Sequence, residues 1–235
     1  MSDTRSICRK FVKKHSAKND ASHDISHIDR VVTNAIKIWS MSDARTQELV
    51  DQNVLIAIAS FHDSFDHKYF TTESAVLEAK SHVMTFLDQA CKYAPAIIEM
   101  IIKVIDSMGY TAEVTCEKKV IFTRSEMEYL RIVQDADRLD AIGAVGISRC
   151  LAFSGAFGRP IITESGLDEL EQRRNFSDGT LQASARKGPS AISHFYDKLV
   201  FLKGMLKTEA GKILGEKRHD FILRFLDQFF DEING

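Results

Sequence analysis

Apolar residues in this chain recur mostly at positions i, i+3 and i+4, and few stretches alternate between apolar and polar residues. The first pattern is typical of helices that bury one face, whereas alternation is typical of strands. The sequence contains only three prolines, so few segments carry a residue that interrupts a helix. We therefore predict an all-α fold.

The length of 235 residues allows one large domain or two small ones. Residues 110–123 have some strand character but fit a loop equally well. Residues 155–190 are polar and rich in Gly and Ser, and we predict a long irregular excursion there, of the kind that is usually functional or mobile. The predicted helices cover about 3–17, 25–39, 46–63, 72–93, 95–109, 125–153, 191–206 and 208–233.

Composition excludes several classes of protein. A net charge of −2 gives no broad attraction to nucleic acid or to anionic membranes. The four cysteines are scattered without a CxxC pair, which indicates reduced thiols and no thiolate zinc site. Residues 1–14 lack the apolar stretch of a signal peptide, and no apolar run approaches a membrane span. We expect a soluble cytoplasmic protein with no nucleic-acid or membrane partner.

The sequence feature with the clearest chemistry is the pair His62-Asp63, which follows the apolar run 54–59. Burying an imidazole and a carboxylate is costly unless they are paired, hydrogen-bonded or bound to a metal. We therefore interpret this pair as half of a metal site.

A further carboxylate is expected from the acidic segment 134–140. Helical spacing places Asp137 on an apolar stripe, whereas Asp135 falls on a charged stripe where it can serve as a solvated partner of Arg131 and Arg138. We predict Asp137 as the ligand and keep Asp135 as the alternative. A set of imidazoles and carboxylates suits one divalent ion, with Mn, Fe, Co, Ni or Zn favoured over Mg.

The ordered set of His27, the pair His62-Asp63 and an aspartate within 135–140 resembles the H…HD…D signature of HD-domain metal-dependent phosphohydrolases. The resemblance covers most of the chain and is closest to small single-domain bacterial-type members, which implies a single domain over residues 1–235. The segments that carry it further are 22–27, 62–68, 134–149 and 194–199.

This resemblance implies an all-α fold with the metal held between helices by His27, His62, Asp63 and Asp137. It implies hydrolysis of nucleotides, and in similar proteins nucleoside triphosphates are cleaved to the monophosphate and pyrophosphate. The alternatives are a nucleotide-binding sensor without turnover and an HD phosphodiesterase or nucleotidase. Two-metal members carry two further histidines after the HD pair, and the spacing of His67 does not fit, so we expect one metal ion.

Within this interpretation, Asp66 is the candidate to orient or deprotonate the attacking water, and the alternative is a loop carboxylate paired with Lys68. Arg30 and Lys68 are candidates to neutralise charge on the phosphate. The excursion at 155–190 is a candidate lid, and the helix that follows it has a purely structural alternative in which its residues belong to the core. The further candidate substrate contacts are Arg138, His194, Tyr196 and Lys198.

Overall fold

The computed structural model describes residues 3–15, 25–65, 72–109, 120–183 and 188–234. Within these ranges the regular secondary structure is helical and no strand occurs, which confirms the all-α prediction. The helices are α1 (Thr4–His15), α2 (Ile25–Ser40), α3 (Ala44–Leu49), α4 (Gln52–Phe61), α5 (Glu73–Gln89), α6 (Pro95–Asp106), α7 (Arg124–Asp140), α8 (Gly143–Ala156), α9 (Leu167–Ser177), α10 (Ala191–Asp197), a 3₁₀ helix (Leu199–Met205) and α11 (Glu209–Asn234).

The chain forms two compact units, and the boundary between them falls inside α7. The first unit runs up to Ala136 and the second begins at Asp137. The prediction of a single domain over 1–235 stays a prediction.

Helix α4 forms the centre of the first unit. Its residues from Val54 to Phe61 are all buried, and α1, α2 and α6 pack against it. A helix that is apolar on every side is expected to be surrounded in this way. The rings of Phe11, Phe61 and Phe86 join α1, α4 and α5, with centroid separations of 4.4–5.7 Å.

The predicted helix over 46–63 is wrong in one respect, because the structure divides it into α3 and α4. The carboxylate of Asp51 accepts hydrogen bonds from the backbone N–H groups of Asn53 at 2.8 Å and Val54 at 3.0 Å. This is N-cap geometry, and it starts a new helix at the point where the periodicity alone predicts continuation. The indole of Trp39 donates to the carbonyl of Val50 at 3.1 Å and so gives a backbone carbonyl at the break a hydrogen-bond partner.

The predicted helix over 125–153 is likewise divided, into α7 and α8, whose axes are bent by 70°. Gly143, the first residue of α8, has φ +77°, a backbone conformation that residues with a Cβ rarely adopt. A Cβ at Gly146 would lie 2.3 Å from the carbonyl carbon of Ala141, so the bend also requires a glycine there. The guanidinium of Arg218 donates to the carbonyl of Leu139 at the end of α7, as basic residues commonly do at helix C-termini.

In the second unit the region 155–190 is not wholly irregular, because it contains α9. The buried carboxylate of Glu169 on this helix accepts hydrogen bonds from the hydroxyls of Thr163 and Ser190, both at 2.6 Å, and from Ser193 at 3.3 Å. These bonds tie α9 to the start of α10. The segment predicted as one helix over 191–206 is α10 followed by the 3₁₀ helix.

Residues 120–123 are not in a strand, whereas the rest of the ambiguous segment, 110–119, lies outside the described residues. In the described part of the chain, no single helix is long and apolar enough to cross a bilayer. The bent pair α7 and α8 passes that test only when its two members are taken together, on length and composition alone.

Candidate metal centre

Two helices bring the three described side chains of the site together. His27 lies on the buried face of α2, near its N-terminus. The pair His62-Asp63 follows directly after the last residue of α4, and His62 is its C-cap residue with φ −56° and ψ −32°. The contact between α2 and α4 in the core therefore fixes the distance between His27 and the pair.

The three side chains place their ligand atoms at the corners of a nearly equilateral triangle. The Nε2 atoms of His27 and His62 are 3.3 Å apart. Each lies 3.3 Å from Oδ2 of Asp63. The two imidazoles are almost fully buried, while 24% of the Asp63 side chain is exposed.

This triangle fits a divalent metal ion. Two ligand atoms that are both about 2.1 Å from one ion lie about 3.0–3.4 Å apart in octahedral or tetrahedral geometry. The observed 3.3 Å separations fall in that range. Neutral imidazole nitrogens and a carboxylate oxygen are also the donors that borderline divalent metals accept.

A hydrogen bond at Nδ1 of His62 leaves its Nε2 atom available to bind a metal ion. Nδ1 of His62 lies 2.9 Å from the carbonyl oxygen of Ala59. Because a carbonyl can only accept, Nδ1 carries the hydrogen, and in the neutral ring Nε2 then has the lone pair. Metal-bound histidines are commonly oriented by such a bond from their other ring nitrogen.

The charge on Asp63 is stabilised in the same cluster. Burial raises the pKa of the Asp63 carboxyl, but when the imidazoles are protonated and no metal is bound, the charge on His62 and hydrogen bonds from His27 and His62 outweigh burial and bring the pKa well below its usual value. Asp63 is therefore an anion at neutral pH, as a metal ligand must be.

The structure separates the two candidate aspartates of α7. Asp135 is 0% exposed and belongs to the first unit, together with His27 and the HD pair. Asp137 is partly exposed and belongs to the second unit. The interpretation of Asp135 as solvated is therefore wrong, whereas its pairing with Arg131 and Arg138, and Asp137 as the ligand, stay predictions.

The residues predicted to act on the phosphate are only partly described. Arg30 lies on α2, half-buried, and its guanidinium donates to the hydroxyl of Ser26 at 2.8 Å. Asp66 and Lys68 lie outside the described residues. Their proposed roles stay predictions.

Four predicted substrate contacts belong to the second unit. Arg138 is buried and donates to the carbonyl of Met205. The ring of Tyr196 is buried near Phe230, at a centroid distance of 6.4 Å, and burial raises the pKa of its hydroxyl. His194 is half-buried on α10, and Lys198 is the C-cap residue of that helix. Their roles in substrate binding stay predictions.

Sequence reasoning missed one polar residue close to this site. The buried face of α2 includes His27, Val31 and Asn34. The amide of Asn34 donates to the carbonyl of Ala136 on α7 at 3.1 Å. The signal that could have found it is its spacing of seven residues from His27, two helical turns along one face.

Comparison with known proteins places the chain in a family. No family model matches it. It is 30% identical over 227 residues to the uncharacterized protein YpgQ of Bacillus subtilis strain 168, covering 97% of this chain and 92% of that protein. The crystal structure of YpgQ in complex with ADP has a TM-score of 0.67 and 27% identity, and the match covers 98% of each chain.

A second solved structure carries the family name. The HD-superfamily hydrolase of Bacillus thuringiensis is 26% identical, has a TM-score of 0.66, and is matched over 98% of this chain and 97% of that one. The helical fold agrees with these relatives, and in this chain His27, His62 and Asp63 form a group that could hold a metal ion. The chain belongs to the HD superfamily and is a metal-dependent phosphohydrolase.

Proposed function

We propose that this protein hydrolyses nucleotides, and specifically that it cleaves a nucleoside or deoxynucleoside triphosphate to the monophosphate and pyrophosphate. The observation that carries the proposal is the triangle of His27 Nε2, His62 Nε2 and Asp63 Oδ2 with its 3.3 Å edges, because it can hold a divalent ion beside a phosphate. The ADP complex of the Bacillus subtilis relative supports a nucleotide as the ligand.

For the fourth ligand, we propose Asp135 in place of Asp137. Asp135 is in the same unit as the other three ligands, and its side chain is fully buried. A buried carboxylate needs a cation or hydrogen-bond donors, and a metal ion supplies the charge. The resulting set of two imidazoles and two carboxylates suits one Mn²⁺, Fe²⁺, Co²⁺, Ni²⁺ or Zn²⁺ ion, and we favour manganese.

A bound divalent ion supplies a water of lowered pKa and polarises a phosphoryl oxygen. His62 presents its Nε2 lone pair, His27 would bind through the Nε2 atom that faces it, and the HD carboxylate contributes negative charge. We assign Asp66 the role of accepting the proton of the attacking water. As the P–O bond to the leaving pyrophosphate breaks, Arg30 and Lys68 neutralise the charge that develops on the phosphate oxygens.

The decisive experiment is a panel of nucleoside mono-, di- and triphosphates assayed with each divalent metal, with the products identified. Monophosphate and pyrophosphate in equal amounts from a triphosphate are expected. Release of inorganic phosphate alone, or turnover of a phosphodiester in preference to triphosphates, would overturn the specific reaction. Nucleotide binding without any turnover would favour the sensor alternative.

The variant Asp63→Ala tests whether the triangle carries the activity, and metal content and turnover should fall together. Asp29→Ala is the matched control, because Asp29 pairs with Arg9 at 2.9 Å on the surface of the same unit. An Asp63→Ala protein that retained full turnover would contradict the proposal.

A further inference from the structure

We propose that Asn34 is a positioning residue of the metal site, which acts by fixing the register of α7 against α2. This inference rests on the proposed assignment of Asp135 as a ligand. Asn34 touches no substrate or metal in this proposal, and its effect passes through α7 to Asp135.

The contact that carries the inference joins the two ligand-bearing helices. The amide nitrogen Nδ2 of Asn34 donates to the carbonyl oxygen of Ala136 at 3.1 Å, and both residues belong to the first unit. Asn34 is 7% exposed and Ala136 is 0% exposed, so solvent does not replace this bond readily. Ala136 is the residue directly after Asp135 in the sequence.

The position of Asn34 on α2 is equally specific. It follows His27 by seven residues, so the two side chains leave α2 in nearly the same direction, about 10 Å apart along the helix axis. The face of α2 that provides the first ligand therefore also holds the helix that provides the proposed fourth ligand.

A small shift of α7 would be sufficient to spoil this arrangement. A slip of one residue moves a side chain by about 1.5 Å along the axis and by about 100° around it. Metal ligands tolerate departures of only about 0.5 Å. A directional bond beside Asp135 therefore contributes more to ligand placement than general packing does, since apolar contacts do not select one register as sharply.

A second side-chain hydrogen bond also holds α7 beside Asp135, because the amide of Gln134 donates to the carbonyl of Ser107 at 3.4 Å. An attachment farther along α7 is provided by Tyr129. The hydroxyl of Tyr129 accepts a hydrogen bond from the backbone N–H of Asp51 at 2.8 Å. Tyr129 is 3% exposed and precedes Asp135 by six residues, which is about 9 Å along the helix. Tyr129→Phe removes a buried attachment of the same helix and is the matched control for Asn34.

The experiment measures the dissociation constant of Co²⁺ for purified protein without nucleotide, from its visible absorption and from chelator competition. Asn34→Ala and the isosteric Asn34→Asp should each weaken Co²⁺ binding by about 10- to 100-fold, as loss of an outer partner of a ligand does. Tyr129→Phe should bind Co²⁺ like the wild type. Melting temperatures in chelator then report any general loss of stability separately.

Two results would overturn the inference. One is an unchanged Co²⁺ dissociation constant in both Asn34 variants. The other is an equal weakening in Tyr129→Phe, which would show that any destabilisation of α7 has the same effect.

Asp135→Asn separates this inference from the assignment on which it depends. If Asp135→Asn binds Co²⁺ like the wild type, the proposed fourth ligand is wrong and the role of Asn34 falls with it. If Asp135→Asn loses Co²⁺ but the Asn34 variants do not, only the positioning role fails. In the Asp135→Asn background, Asn34→Ala should not weaken Co²⁺ binding further, because both substitutions act through the side chain at position 135.

Discussion

The imidazole of His62 donates its Nδ1 hydrogen to the carbonyl oxygen of Ala59, 2.9 Å away and three residues earlier in the chain. The carbonyl belongs to α4, so the helix that delivers the histidine also fixes the direction of its ring. In the neutral ring, Nε2 then presents a lone pair towards His27 and Asp63. The HD dipeptide is thus oriented by its own helix before any ligand arrives.

The first prediction concerns stabilisation by metal. A ligand that binds only the folded protein adds about 2.7 kcal/mol to the free energy of unfolding at 100 times its dissociation constant. Mn²⁺ should therefore raise the melting temperature of the wild type and leave that of His62→Ala nearly unchanged. His82→Ala, an exposed histidine variant on α5, is the control and should respond like the wild type. A full Mn²⁺ response in His62→Ala would exclude His62 as a ligand.

The second prediction concerns the break between α3 and α4. Asp51→Ala removes the side chain that accepts from two backbone N–H groups, and the loss of such a cap costs about 1 kcal/mol. Urea unfolding should show this decrease. Glu48→Ala, at an exposed position of α3, should change the free energy of unfolding by less than about 0.5 kcal/mol. Equal stabilities of the two variants would contradict the capping role.

The third prediction is a pH dependence centred on Glu169. Burial raises the pKa of this carboxyl, but hydrogen bonds from Ser190 and Thr163 outweigh it, so the folded-state pKa lies below the ordinary value. The carboxylate therefore stabilises the fold above the unfolded pKa of about 4.3, and this contribution is lost as pH falls through the lower folded pKa.

Glu169→Gln tests the direction of this pH dependence. At pH 7 it should lower the free energy of unfolding by about 1–3 kcal/mol, because donors that faced the carboxylate lose their acceptor. The difference from the wild type should shrink as pH falls below about 4.3. Glu171→Gln, on the exposed side of the same helix, should show little difference at any pH. A gap that widened in acid would show that the sign is wrong.

The fourth prediction ranks the described thiols by reactivity. A hydrogen bond from Cys8 lowers the pKa of the Cys91 thiol, and the same contact raises the pKa of Cys8. Burial raises the pKa of Cys150 to about 11. Because the thiolate is the nucleophile, iodoacetamide at pH 8 should modify Cys91 first.

Mass spectrometry of protein carrying Cys116→Ser would follow this order, since Cys116 lies outside the described residues. In urea all three thiols should react at similar rates, which is the control for intrinsic reactivity. Faster modification of Cys150 than of Cys91 in the folded protein would contradict the prediction.

Much of the helical framework follows from sequence alone. Thr72 and Pro95 mark helix starts, and the structure confirms both, because capping and proline preferences are local properties. The apolar run before the HD pair also predicted a buried helix. By contrast, Asp51 caps a helix inside a continuous apolar pattern. The spacing of the apolar residues does not show that a new helix begins there.

The choice between Asp135 and Asp137 shows where the period of one helix stops being informative. Assigning apolar and charged stripes from helical spacing assumes that a helix buries only one face. Helix α7 buries Leu130 and Val133, as expected, and also Asp135 and Arg138, because it is packed on more than one side. Which side a polar residue faces then depends on neighbouring helices far away in the sequence.

The burial of α4 has a consequence for the exchange of its amide hydrogens. Amides in the most buried helices of a protein exchange only through large-scale unfolding, whereas those of surface helices exchange through local opening. The amides from Ile58 to Phe61, at the end of α4 that leads into the HD pair, should therefore be among the slowest in the first unit. Half of the metal site is thus attached to a segment that stays closed until the unit itself unfolds.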